Sequence, residues 1–180
     1  HNDLVETTFN STYSNRFNKW VNMLAGIDVN YSIGKHYKTM NDLLGGKQWI
    51  DIDQFAERDF SDNNMIIQND LRNPNRKIYE GDRFGYDYNM NVVKAGAFIQ
   101  GNLSLTKFDI SAAFRLSTTS FWREGKMENG RAAVIGATSY GKGKVLNFVD
   151  PSGKIGVTYK INGRHRLVLN GLAETRAPYA

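Results

Sequence analysis

The residues best placed to do chemistry lie close together: Asp51, Asp53, Glu57, Asp59 and Asp62. Carboxylates at that density could hold a hard cation such as calcium. Asp51-Ile-Asp53 opens like a helical-hand calcium loop. The sixth position, however, is Ala56, where the sharp turn needs Gly. The twelfth is Asp62, where a bidentate Glu is usual. An irregular calcium site on Asp51, Asp53 and Glu57 remains the metal alternative, beside the plainer expectation of a solvated acidic loop. Around the acids stand Trp49, Phe55, Phe60, Tyr79, Phe84, Tyr86 and Tyr88. Exposed rings with polar neighbours suit sugars and flat ligands. The expected ligand-binding set is therefore Trp49, Asp51, Asp53, Asp59 and Tyr79. The rings could instead give the loop a small core, or form an aromatic belt at a membrane interface. Tyr86 and Tyr88, on a strand, read better as belt.

Other motifs lack their context. Gly136-Ala-Thr-Ser-Tyr-Gly141-Lys142 nearly spells a phosphate-binding loop, but Gly143 stands where Ser or Thr should hold magnesium. The following residues lead to Asp150-Pro151-Ser152-Gly153 and not to a helix, so an exposed Gly-rich loop is expected. His36 and His165 are far apart in sequence. No nucleophile elbow is present and no nucleophile sits beside a base, so catalysis is not expected. There is no Cys, which removes disulfides and thiolate chemistry. No cofactor is expected. The net charge of +5 is scattered, giving nucleic-acid binding little support.

The elements that must carry these residues are strands. Val21, Met23, Ala25, Ile27, Val29, Tyr31 and Ile33 alternate with mostly polar or small neighbours. Such period-two alternation gives one apolar and one polar face. It recurs through Val93–Leu105, Phe108–Leu116 and Ile155–Ile161, more noisily over 165–176, and weakly over 4–13. Six long strands are expected, in an antiparallel up-and-down meander. Short turns near Asn15, at Thr106-Lys107 and at Asn162-Gly163 alternate with long loops over 38–83 and 123–153. Short turns on one side and long loops on the other is the layout of an outer-membrane β-barrel. Mean hydropathy is −0.50. That value does not exclude a barrel, whose strands hide their apolar face in alternation.

Several stretches resemble TonB-dependent outer-membrane receptors. They are Gly34-Lys-His-Tyr-Lys-Thr-Met-Asn-Asp-Leu-Leu-Gly-Gly-Lys-Gln-Trp-Ile-Asp51, Asp53-Gln-Phe-Ala-Glu-Arg-Asp59, Asn73-Pro-Asn-Arg76, Gly85-Tyr-Asp-Tyr-Asn89, Ile161-Asn-Gly-Arg164 and Thr175-Arg-Ala-Pro-Tyr179. More narrowly, they look like the receptors that carry a carboxypeptidase-regulatory-like extension. The resemblance covers most of the chain but only a middle portion of the family's barrel. It implies an all-β fold that is part of a 22-stranded transmembrane barrel, with no plug domain in residues 1–180. It also implies nutrient uptake in the bacterial outer membrane, powered by the TonB complex through a plug supplied elsewhere in the receptor. The chain would contribute barrel wall and ligand-capturing extracellular loops. Its partners would be outer-membrane lipid, the rest of the barrel and plug, and a small-molecule, glycan or peptide ligand. The alternative is a soluble all-β surface module that binds carbohydrate.

Overall fold

The computed structural model describes residues 1–60 and 62–178; Tyr179, which ends the last resembling stretch, lies outside them. The long strands are β1 (Asn2–Arg16), β2 (Val21–Thr39), β5 (Arg83–Ser104), β6 (Phe108–Gly125), β8 (Leu146–Lys160) and β9 (Arg166–Glu174). Between them lie the short elements β3 (Trp49–Ile50), α1 (Gln54–Asp59), β4 (Lys77–Ile78), α2 (Gly130–Val134) and β7 (Gly141–Lys142). The long strands form one antiparallel sheet in the order β1-β2-β5-β6-β8-β9, so the expected meander of six strands is present. β7 adds to β6, and β3 pairs with β4. At 19, 22 and 18 residues, β2, β5 and β6 far exceed the mode of about 5–6 for strands in globular proteins.

Two of the short turns are built by asparagine. Asn18 Oδ1 accepts from the amides of Trp20 and Val21 at 2.8 and 3.0 Å. Asn162 Oδ1 does the same for Arg164 and His165, both at 2.9 Å. Each side chain mimics a backbone turn and so fixes where the chain reverses.

The long connections differ from expectation. The first spans 40–82, close to the expected range. The second spans only 126–145, because β8 begins at Leu146 and absorbs Asp150-Pro151-Ser152-Gly153. Proline at a strand position is admissible here. The Pro151 carbonyl accepts from Thr175 N, just past the end of β9. In extended chain the amide of a residue points to the same edge as its carbonyl. The missing Pro151 donor thus falls where the partner strand has already stopped, and no ladder bond is lost.

The chain divides into two compact units. One comprises His1–Glu6, Ser32–Asn91 and Phe121–Leu146; the other comprises Thr7–Tyr31, Val92–Ser120 and Asn147 onward. The second unit is long-strand sheet, and midway along β2 and β6 the apolar side chains are more exposed than the polar ones between them. On β2, Ile27 and Val29 are 51% and 42% exposed, while the intervening Asp28 and Asn30 are half-buried. On β6, Phe114 and Leu116 are exposed and Arg115 between them is half-buried. The half-buried side is polar and paired. Arg115 grips Asp28 with both terminal nitrogens at 2.7 and 2.8 Å, and Lys160 reaches Asp109 at 2.6 Å. Glycine makes this possible: a Cβ on Gly96 would run into the Arg115 guanidinium, and one on Gly26 into the Phe98 ring.

The first unit holds the buried apolar residues, Ala56, Ile67, Ile78 and Met127. They come from both long connections and from β4. The alternative in which the rings give the loop a small core does not hold for Trp49, Phe55, Phe60 and Tyr79, which are exposed.

Candidate functional site

The two connections are stitched together by backbone. Gly130 N donates to Gln68 O at 2.9 Å and Leu71 N to Glu128 O at 2.7 Å. Glu128 N donates to the Asp70 carboxylate at 3.0 Å. Gly130 has no room for a side chain, because a Cβ there would strike the Met65 carbonyl. Gln68 closes its own loop. Its Oε1 takes the Asn75 amide at 2.7 Å, while its amide group reaches Asn64 and Asn75.

Asp51 is the centre of the first connection. It is 2% exposed, and each oxygen is committed. Oδ1 accepts from Asn69 Nδ2 and Gly85 N, both at 2.9 Å, and Oδ2 from the Arg76 guanidinium at 2.7 Å. One buried carboxylate thus joins the end of β3, a mid-loop residue, the entry to β4 and the start of β5. Gly85 adopts φ +75°, a conformation that side chains disfavour, and this brings its amide to Asp51. Asp51 is consumed by architecture and has no free oxygen for a ligand.

Asp53 caps α1, accepting from Phe55 N and Ala56 N at 3.0 and 3.2 Å. Its second oxygen lies 3.5 Å from Arg131. Asp53→Ala should cost about 1 kcal/mol by loss of the cap, read as lowered urea resistance of the loop region. Asp59 is solvent-facing and pairs with its neighbour Arg58 at 2.8 Å, which raises the guanidinium pKa. Tyr79 is 51% exposed and begins the turn that Asp82 closes by accepting from Tyr79 N at 2.9 Å. The irregular calcium site on Asp51, Asp53 and Glu57 finds no support. Among the described residues no group of three carboxylates or histidines could hold a metal ion. The reason is visible in the bonds: Asp51 and one oxygen of Asp53 are already spent on intramolecular donors.

What the two connections enclose, with the ends of β2 and β5, is a cavity of about 390 Å³. Its walls include Lys38, Trp49, Asp53, Phe55, Tyr86 and Asn129. Of the expected binding residues, Trp49 and Asp53 line it, while Asp51, Asp59 and Tyr79 do not. Trp49 is placed by β3, whose register pairs it with Ile78 of β4. Tyr86, which read as membrane belt, stands on the cavity wall. The Lys38 ammonium lies 5.2 Å from the Tyr86 ring centre and 6.0 Å from that of Phe84. Neither Lys38 nor Asn129 carried a signal in the sequence, because each enters from a segment remote from the acidic stretch.

A second aromatic group adjoins the same strand ends. His36 stacks on Tyr88 at 4.9 Å, and the Arg123 guanidinium sits 4.5 Å from the Tyr88 ring centre. Arg83, over the Tyr37 ring at 3.8 Å, also pairs with Asp87 at 2.7 Å, a hydrogen bond that raises its pKa. The near-phosphate-loop 136–142 follows α2 and runs into β7, which pairs with Glu124 and Gly125. No helix follows it, as the sequence anticipates.

No protein-family model, curated protein or solved structure matches this chain.

Proposed function

We propose that the chain is a wall segment of a bacterial outer-membrane β-barrel receptor of the TonB-dependent kind, whose two long loops capture a ligand. One observation carries this reading: midway along its strands the sheet of the second unit leaves large apolar side chains exposed, while Asp28 pairs with Arg115 and Asp109 with Lys160 between strands. Water would not sustain a bare face of Ile27, Val29, Ile99, Phe114, Leu116 and Leu169, all at least 42% exposed. Lipid would. The dimensions agree. From Trp20 to Tyr31 the strand rises about 36 Å at ~3.3 Å per residue, or roughly 25 Å once tilted by ~45°. That is the height of the apolar band of such barrels. Aromatic residues gather at the short-turn end as an interfacial girdle requires. Phe108 and Tyr159 meet at 5.0 Å, and Phe17 and Trp20 are exposed nearby in the first turn.

In this role the polar face meets a hydrated lumen or a plug, through which TonB would deliver energy. β1 and β9 each have one hydrogen-bonded neighbour among the described strands. In lipid every backbone group must pair, so further strands of the barrel would complete both edges. The chain is a binding and transport element with no catalytic role. A soluble carbohydrate module would share the cavity but has no use for the exposed apolar face.

Single cysteines at Val29 and Ile99, labelled and probed with a lipid-phase quencher in vesicles, should be quenched. Cysteines at Asn30 and Gln100 should respond to a water-phase quencher instead. Water-phase exposure at Val29 and Ile99 would refute the wall assignment.

A further inference from the structure

We infer that the cavity between Lys38, Trp49, Phe55 and Tyr86 binds a small ring-bearing carboxylate. The inference rests on reading these loops as ligand-capturing, and it adds the ligand's chemistry. Two charged side chains line the cavity, Lys38 and Asp53. They are not equivalent. Asp53 spends one oxygen capping α1 and lies 3.5 Å from Arg131, so its charge is offset locally. Lys38 is exposed, and among the described residues no carboxylate lies within ion-pair distance of it. Its ammonium lies by the rings of Phe84 and Tyr86. A cation held over rings keeps its outer hemisphere open, and an anion is the natural partner there. The lining is therefore positive at Lys38.

The rest of the wall suits a ring. Trp49, Phe55 and Tyr86 line the same concavity and are 38%, 70% and 38% exposed, so their ring faces are open to a ligand. Such faces take a pyranose or an aromatic ring with equal ease. Polar groups complete the lining. Asn129 Oδ1 is used by Ala132 N, but its NH2 has no hydrogen-bond partner among the described residues. Gln54 lies alongside. The wall is preformed, since Gly85 is anchored to buried Asp51. At about 390 Å³ the cavity falls at the small end of ligand sites, which run from ~300 to 1,000 Å³.

Two sources supply such a ligand, sugar acids and aromatic acids, and the test separates them. The full chain, folded in detergent micelles, is titrated with glucuronate against methyl glucoside, and with 4-hydroxybenzoate against phenol. Calorimetry reads the binding. At least one acid should bind about tenfold or more tightly than its neutral counterpart, and added salt should shrink the preference. Which acid shows it identifies the source. Lys38→Gln should bring the acid down to the neutral counterpart, and Lys38→Arg should retain the preference. Phe55→Ala should weaken acid and neutral ligands alike. Equal binding of acids and neutral partners, no binding of either acid, or an unchanged preference in Lys38→Gln would overturn the inference. The quencher experiment is independent of this one. Water-phase exposure at Val29 with intact acid binding would remove the barrel wall and leave the site. Lipid-phase quenching with no acid preference would do the reverse.

Discussion

Ile99→Arg is expected, on the proposed wall assignment, to destabilise the protein in a bilayer by about 2–4 kcal/mol, the cost of a cation on a lipid face near the membrane midplane. Ile99 is 48% exposed on β5. Its depth follows from pairing: Ser104 N donates to Trp20 O at 2.8 Å, so Ile99 lies level with the middle of the stretch from Trp20 to Tyr31. Gln100→Arg, one residue on and at the same depth, places its charge on the polar face. There water screens it, and the expected cost is below about 1 kcal/mol. Guanidinium unfolding in vesicles measures both. The comparison is sharp because adjacent residues on a strand face opposite ways. Equal costs at the two positions would contradict a lipid-facing apolar side. If the sheet instead met water on both faces, Ile99→Arg would be nearly neutral.

Asp51→Ala is the second large effect, at about 3 kcal/mol. Removing one partner of a buried pair leaves the other charged and unpaired, which costs about 3–5 kcal/mol. The lower figure applies because Arg76 retains 26% side-chain exposure and can recover some water. The loss has a second part, since Asn69 Nδ2 and Gly85 N are orphaned at the same time. Asp51→Asn keeps an oxygen for those two donors but turns an NH2 toward the Arg76 guanidinium, so it should fall between or close to Asp51→Ala. Hydrogen exchange of the amides in 40–82 would show the effect directly, with protection lost there and kept in β6 and β8. Unchanged protection would mean that the loop is held by its aliphatic cluster and not by the carboxylate.

The long strands were legible because alternation is a local property. Val21 to Ile33 shows its faces without help from any other segment, and the Asn162-Gly163 pair announces its turn. The start of β8 was not legible. Asp150-Pro151-Ser152-Gly153 has turn composition, and the fact that excuses Pro151, the end of β9 beside it, lies in another strand. The site was half legible for a similar reason. Trp49 and Asp53 stand in a stretch dense with rings and carboxylates. Asp51 looked like a ligand for the same reason, yet its environment is set by Arg76, Asn69 and Gly85, whose approach no local pattern encodes. Lys38 sits at the end of a strand whose alternation says nothing about the two rings beneath it.

The Asp51 clamp also bears on how the strands find one another. Pairing β2 with β5 requires closing a connection of roughly 40 residues, an entropic toll of about 3 kcal/mol beyond the fixed cost of any loop. The clamp gathers β3, the entry to β4 and the first turn of β5 at one carboxylate. At the loop's base Met40 and residues 81–82 exchange backbone bonds, Met40 N to Asp82 O at 2.9 Å and Gly81 N to Met40 O at 2.7 Å. A connection held in this way keeps both strand ends side by side, and forming it first would spare the ladder that closure cost. On the proposed function, the loop would then serve the sheet's assembly as well as ligand capture. Grafting a foreign loop here while discarding Asp51, Arg76 and Gly85 should slow assembly even where the ligand is never encountered.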